Sequence, residues 1–269
     1  MDLPSSDLIL GILDRSEIFP NIVSPVGKEV GNVLKNLFHI VFFPINYLEK
    51  HIEIFEQQHF AKFIEDINNA AARIPEGNLA IPRTSIAAVA LDQARFRLDE
   101  PELRRLFAAL IASSCDVAKQ PIIRQSFALI ISQLESIDAK NLSYFAQFYS
   151  EAPSSGIFQV PLTFPCANFV VEQNNVFTSI CSNLFIADGN VEDCQLQSAS
   201  ITNLIRLGLI SCDYTAYLSD SSLYSVYETL PDFLELLSIS ATDELHPKLQ
   251  KGILYITPLG RDFIETCVL

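Results

Sequence analysis

The sequence predicts a mainly α-helical protein in which an N-terminal helical bundle is followed by a winged-helix-like α+β domain. Three observations lead to this fold class. Between residues 26 and 150, apolar residues recur at steps of three and four, as they do on the buried face of a helix. Residues 151–165 then contain three prolines and a glycine, a composition typical of a linker. Beyond this linker, the patterns of a helix, two strands and a closing helix follow in the order of a winged helix.

These observations divide the 269 residues into three parts. We expect an N-terminal extension over residues 1–25, a helical domain over 26–150 and a winged-helix-like domain over 151–269. Apolar residues make up 49% of the chain and charged residues 19%, against a charged fraction of about 25% in typical soluble domains. The chain is therefore rich enough in apolar residues to bury a large core.

The helical domain begins with two amphipathic stretches. Periodic apolar residues run over 26–41, after which Pro44 is expected to end or kink the helix, and again over 48–67. The most apolar window, 37–48, is shorter than the roughly 20 residues that span a bilayer. We therefore expect helices of a bundle here, and the alternative is an interfacial helix over 33–55 on a membrane surface.

Capping signals mark further helices. Thr84 or Ser85 is expected to cap a helix that runs to Ala94, because hydroxyl oxygens accept hydrogen bonds from the free amides of a first turn. Pro121 is expected to start another helix. Residues 136–149 have the apolar spacing of one more.

The string Asp99-Glu100-Pro101-Glu102 predicts the start of a helix. Asp99 is expected to be the N-cap, because Glu102 follows it at the spacing of a capping box. Pro101 falls in the first turn, where a missing amide hydrogen is tolerated. The buried face of this helix is predicted to hold Leu103, Leu106, Phe107, Leu110 and Ile111.

The winged-helix pattern occupies the last third of the sequence. A helix over 199–207 is followed by Gly208, which suits a left-handed C-cap. The run 209–212 is predicted to be a strand, and 252–257 its partner. The intervening 213–251 is expected to be a long wing insertion with an exposed tip rich in serine and aspartate.

Charge is unevenly placed along the chain. Its 32 acidic and 18 basic residues give a net charge of −14, of which residues 1–150 carry −4 and residues 151–269 carry −10. Nucleic-acid binding draws most of its affinity from Lys and Arg on phosphates, and only four basic residues follow position 150. We therefore expect a protein partner or a homo-oligomer before a nucleic acid.

A winged-helix DNA-binding regulator is the alternative function. Its recognition helix would turn polar side chains toward base edges in the major groove. The residues of this kind in and just before the predicted helix are Gln195, Gln197, Asn203 and Arg206.

The sequence carries no motif of an enzyme. Its nine glycines form no phosphate-binding loop, and no G-x-S-x-G elbow occurs. Its six cysteines, at 115, 166, 181, 194, 212 and 267, include no C-x-x-C pair and have no histidine close by in sequence, whereas zinc sites need tight spacing. We expect buried free thiols, no catalytic residue, no cofactor and no metal.

The N-terminus does not have the pattern of a secretory signal. No basic segment precedes the first apolar run, so we expect a cytoplasmic protein.

One block of the sequence resembles the central motif of a bacterial family. It covers residues 98–116 and begins Leu98-Asp99-Glu100-Pro101-Glu102-Leu103-Arg104. The segments 204–210 and 257–264, of which the second contains Gly260, are similar to the end of the same family. This family is called abortive-infection alpha and is also catalogued as a domain of unknown function. The resemblance implies a role in defence against phage and brings no catalytic residue; Gln120 stands where the family often has a histidine, so no role of that histidine is implied.

Overall fold

A computed structural model describes residues 25–42, 53–149, 163–173, 176–187, 193–240 and 246–269 of the chain. Ten α-helices and four β-strands lie in these residues, so the mainly helical fold class is confirmed. The helices are α1 (Pro25–Phe42), α2 (Glu53–Ala71), α3 (Thr84–Ala94), α4 (Pro101–Ser114), α5 (Ser126–Ile131), α6 (Ser136–Tyr149), α7 (Cys194–Arg206), α8 (Ser225–Glu228), α9 (Pro231–Ser240) and α10 (Pro258–Phe263). The strands are β1 (Thr163–Gln173), β2 (Val176–Leu184), β3 (Ile210–Asp213) and β4 (His246–Ile256).

The chain folds as two compact units. One joins residues 1–139 to residues 262–269, and the other holds residues 140–261. The predicted boundary after residue 150 lies outside the described residues, as does the predicted N-terminal extension up to residue 24. Residues 43–52, within the segment considered for a membrane surface, also lie outside them. In the described part of the chain, no helix is both long enough and apolar enough to cross a bilayer.

The first unit is a helical bundle with aromatic rings in its core. Phe38 of α1 and Phe60 of α2 meet with ring centroids 5.7 Å apart at an interplanar angle of 89°, the edge-to-face arrangement that aromatic rings favour. Leu103, Phe107 and Leu110 of α4 are fully buried. The predicted apolar face of α4 is therefore confirmed.

Residues 262–269 complete this bundle. After α10 they form a π-helical turn over Ile264–Val268. Ser113 Oγ of α4 donates a hydrogen bond to the Thr266 carbonyl oxygen at 2.7 Å, and the rings of Phe127 and Phe263 lie 5.3 Å apart. The segment is thus part of a core whose other residues precede position 140.

Asp99 is not the N-cap of α4, contrary to the prediction. α4 begins at Pro101, and its N-cap is Glu100, which makes no side-chain capping bond. The Glu100 carboxylate pairs with Arg97 instead, so an ion pair replaces the predicted capping box. Pro101 occupies the first helical position, as predicted.

Two other predicted helix starts are wrong. α3 begins at Thr84 itself, so neither Thr84 nor Ser85 is its N-cap. Pro121 lies in a series of turns, and α5 begins only at Ser126. Turn-type backbone hydrogen bonds hold residues 116–123 in place of a helix, and Ile123 is buried there while Val117 is exposed. The helix predicted over residues 136–149 is confirmed as α6.

The second unit is built on an antiparallel sheet of four strands in the order β2-β1-β4-β3. Phe164 and Phe169 of β1 point to opposite faces, because side chains alternate along a strand. Phe164 packs on Phe145 of α6 with ring centroids 4.9 Å apart. Phe169 packs on Phe233 of α9, also at 4.9 Å. Helices therefore cover both faces of the sheet.

The predicted order of helix, strand, returning strand and helix is present as α7, β3, β4 and α10. β3 and β4 pair antiparallel, with Cys212 opposite Leu254. Gly208 has a φ of 74°, and the amides of Gly208 and Leu209 donate to carbonyls in the last turn of α7. The predicted left-handed C-cap is therefore confirmed.

The sheet is larger than the predicted strand pair. β4 pairs with β3 on one side and with β1 on the other, and β1 and β2 have no counterpart in the prediction. Pro165 of the predicted linker lies within β1. The predicted wing, residues 213–251, holds a 3₁₀ turn, α8, α9 and the first part of β4, with residues 241–245 outside the described part. Its tip at residues 219–222 is exposed, as predicted.

Candidate functional site

The block at residues 98–116 lies where α4 meets its neighbours in the first unit. Arg97 pairs with the Glu100 carboxylate, and its Nη2 donates a hydrogen bond to the Leu134 carbonyl oxygen at 2.8 Å. Ser136 Oγ donates to Glu100 Oε2 at 3.4 Å. These bonds tie the start of α4 to the segment between α5 and α6.

Arg104 joins α4 to α2. Its Nε donates to Asp66 Oδ2 at 2.7 Å, and its Nη1 donates to the Leu98 carbonyl oxygen at 3.1 Å. Only 8% of the Arg104 side chain is exposed, and an unpaired charge in such a place is strongly destabilising. The block therefore supplies apolar packing and internal ion pairs through Arg104 and Glu100, while its Asp99 and Arg105 are exposed.

A small cleft lies in the first unit between α2, α4 and residues 264–269. Arg73, Ser113, Asp116 and Lys119 contribute to its lining, and its volume is about 40 Å³. A water molecule takes up about 30 Å³ in the liquid, whereas pockets for small molecules measure about 300–1,000 Å³. The cleft can hold a water molecule and is too small for an organic substrate.

The cationic side chains of the cleft bind backbone oxygens. Arg73 Nη1 donates to the Leu269 carbonyl oxygen at 2.8 Å, and Lys119 Nζ donates to the Glu265 carbonyl oxygen at 2.7 Å. Burial lowers the pKa of Lys119 from its ordinary value, because the charged ammonium loses hydration. These contacts clamp residues 264–269 onto the bundle.

α7 contains all four residues predicted to contact DNA bases. Asp193 is its N-cap and accepts a hydrogen bond from the Gln195 amide at 2.8 Å. Gln195 is exposed, whereas Gln197 is buried, and Gln197 Nε2 donates to Asn141 Oδ1 of α6 at 3.3 Å. Arg206 Nη2 donates to Asn203 Oδ1 at 2.8 Å. Gln195, Asn203 and Arg206 therefore lie within about 80° of one another around α7, whereas Gln197 lies on the opposite side and does not face solvent.

Two thiols on different strands lie close to Tyr214. Cys166 of β1 lies opposite Gly252 of β4, and Cys212 lies on β3, beyond β4. Gly252 leaves room for the Tyr214 ring, because a Cβ at Gly252 would be 2.5 Å from a ring carbon of Tyr214. The Tyr214 hydroxyl donates to Asn183 Oδ1 at 3.0 Å. No local spacing in the sequence could reveal this cluster, since its cysteines come together only through sheet pairing.

The cysteines differ in how readily they ionise. All six are free, and five are buried while Cys212 is half-buried. Hydrogen bonding between the two thiols raises the pKa of Cys166 and lowers that of Cys212, because the acceptor thiolate is stabilised and the donor keeps its proton. Burial raises the pKa of Cys115 and of Cys267 to about 12. The prediction of buried free thiols is confirmed for every cysteine except Cys212.

Metal-ligating side chains do not converge in the described residues: no group of three or more His, Cys, Asp or Glu could hold an ion there.

A family model with the description "abortive infection alpha" matches residues 55–267. The match includes the whole of α4 and extends from there through the sheet to the π-helical turn. No curated protein and no solved structure matches the chain.

Proposed function

This chain belongs to the abortive infection alpha family, and we propose that it acts in the defence of bacteria against phage as a non-enzymatic protein. It would work through contacts with other proteins or as a toxic effector. The match over residues 55–267 is the observation that carries the proposal. It covers the whole of the second unit, together with residues 55–139 and 262–267 of the first.

The proposal of a non-enzymatic protein is supported by how the described charged residues are used. Arg97 and Arg104 bind half-buried carboxylates and backbone oxygens within the helical bundle. Arg73 and Lys119 clamp a backbone segment. The cleft beside them has a volume of about 40 Å³, far below that of a pocket for a small molecule. General acid–base catalysis needs a group within reach of a bound substrate, and these groups are turned toward the protein.

A protein partner is favoured over DNA by the charge of the second half of the chain. Residues 151–269 carry 14 acidic and 4 basic residues, and phosphate contacts require the opposite balance. Of the residues proposed for a recognition helix, Gln197 is buried against Asn141. We propose that the winged-helix-like arrangement of α7, β3, β4 and α10 serves contacts with other proteins.

A plaque assay tests the proposed function. The full chain is expressed at low level in a phage-sensitive bacterium, with an early stop codon in the same gene as the control. We expect fewer plaques for at least one phage of a broad panel, together with loss of viability of the infected cells. Unchanged plaque numbers across the whole panel would refute the role in defence.

A second measurement separates the protein-contact reading from a DNA-binding regulator. Purified chain is titrated with genomic DNA fragments at low salt, where attraction between charges is least screened. We expect no shift of the fragments. Tight binding that weakens steeply with added salt would favour the regulator instead.

A further inference from the structure

We propose that the outer face of α9, centred on Leu234 and Leu237, docks a cationic amphipathic helix of a partner protein. This inference rests on the proposed function in one respect, namely that the partner is a protein. It adds the surface to which that protein would bind. It is carried by two observations on the second unit, the exposure of leucines on α9 and the charge around them.

The inner face of α9 is already satisfied. Phe233 is 6% exposed, and its ring packs on Phe169 of β1 with centroids 4.9 Å apart. Leu230, just before α9, joins the same buried cluster. Leu236 is partly buried against the same cluster, so it completes the inner face of the helix together with Phe233.

Two leucines of α9 are about half exposed. Leu234 is 51% exposed and Leu237 is 42% exposed. Their spacing of three residues places them side by side on one helix face. An exposed apolar pair at this spacing is the pattern with which one helix receives the i, i+3 or i+4 anchors of another.

The segment that carries this pair is acidic. Glu235 follows Leu234 directly on α9 and is exposed, as is Glu228 on α8, and no lysine or arginine occurs between Leu207 and Pro247. Like charges repel, so the surface disfavours anionic lipid, nucleic acid and a second copy of this acidic chain. A partner helix with apolar anchors and flanking Lys or Arg side chains is complementary to it in both respects.

The test measures binding of a synthetic peptide to the full purified chain by fluorescence anisotropy. The probe is a helix with leucines on one face and lysines on the other. One control peptide has the same composition in scrambled order, and a second has glutamate in place of lysine. We expect the leucine–lysine helix to bind and both controls to bind at least about tenfold more weakly, since each lost anchor or charge pair costs about that factor.

Variants locate the binding surface. The double substitution Leu234→Ser with Leu237→Ser is expected to weaken binding by about tenfold or more, and Glu235→Lys is expected to weaken it and reduce its dependence on salt. The matched control is Leu196→Ser, because Leu196 is 54% exposed on α7, outside the proposed surface. It should bind like the unchanged chain.

Three results would overturn the inference: no binding of the leucine–lysine helix, equal binding of the glutamate peptide, or unchanged binding by both the double variant and Glu235→Lys. The two kinds of variant keep the test decisive, because Glu235→Lys removes charge and leaves every leucine in place. The binding assay contains no phage, so failure of the docking surface and failure of the role in defence are read separately. If the double variant loses peptide binding and still protects cells fully, the surface has no part in defence, while the family assignment stands.

Discussion

Replacement of Gly260 with alanine would force apart two segments that approach each other closely. A Cβ on Gly260 in α10 would lie 1.9 Å from the Leu209 carbonyl oxygen and 3.0 Å from Cγ2 of Ile256. The Leu209 oxygen cannot simply turn away, because it accepts a hydrogen bond from the Thr257 amide at 3.0 Å. The backbone would therefore have to shift by about 1 Å, and overpacking of this kind costs about 3 kcal/mol at the upper end of its usual range.

Two other glycines calibrate this effect. Gly77 has no atom within 4 Å of the position of a Cβ, so Gly77→Ala should be neutral or stabilising by up to about 1 kcal/mol. A Cβ on Gly208 would have space, but the residue has a φ of 74°. Gly208→Ala should therefore lower the free energy of unfolding by about 1 kcal/mol through backbone strain alone. We expect stability to decrease in the order Gly77→Ala, Gly208→Ala, Gly260→Ala.

Urea unfolding followed by circular dichroism measures these differences, and thermal unfolding provides a second readout. About 3 kcal/mol corresponds to a melting temperature lower by roughly 6–12 °C in a protein of this size. If Gly260→Ala and Gly77→Ala unfold within about 0.5 kcal/mol of each other, the close approach of α10 to Leu209 does not limit the residue at 260.

Further predictions concern a helix cap, a buried ion pair and the thiols. The Thr257 hydroxyl accepts a hydrogen bond from the Gly260 amide and donates one to the Gly208 carbonyl oxygen. Thr257→Ala should therefore lower the free energy of unfolding in urea by about 1–2 kcal/mol, whereas Thr257→Ser should keep most of that stability. Arg104→Leu leaves a carboxylate of α2 unpaired in the bundle and should cost about 3–5 kcal/mol, against at most about 1 kcal/mol for Lys248→Ala at an exposed pair. A short iodoacetamide pulse at about pH 8 should label Cys212, whose pKa is lowered, well before Cys115, whose pKa is raised to about 12; equal labelling by peptide mass spectrometry would contradict the assignment. Because the folded Cys115 keeps its proton while the unfolded thiol loses it above about pH 9, stability should fall as the pH rises from 9 toward 12.

Local patterns in the sequence predict the elements whose causes are local. The apolar face of α4 follows from its spacing, and the C-cap at Gly208 follows from the need for a positive φ after a helix. The cap of α4 could not be predicted from spacing, because Arg97 takes the Glu100 carboxylate and also binds Leu134, far along the chain. The ion pair of Arg97 with Glu100, three residues away, is present in place of the capping box, and the bond from Arg97 to Leu134 adds a long-range contact.

The sheet shows where the sequence held a signal that the prediction did not use. Asn174 and Asn175 separate two runs rich in valine and phenylalanine, which is the pattern of a hairpin, and β1 and β2 occupy those runs. The pairing of Arg104 with Asp66 and the approach of Cys166 to Cys212 depend on how distant elements pack. Single-sequence patterns carry no information on such pairs.

The return of residues 262–269 to the first unit constrains the order in which the protein can fold during synthesis. Thr266 and Phe263 fill places beside Ser113 and Phe127, but 122 residues, 140–261, are made between the two parts of that unit. At about 5–20 residues per second, the ribosome needs roughly 10 s to supply the missing piece. During this interval the core of the first unit lacks residues 262–269, while residues 140–261 are synthesised as one continuous stretch. The part of the protein that is made second can therefore finish folding first, and the early helices are the part that a chaperone would have to protect.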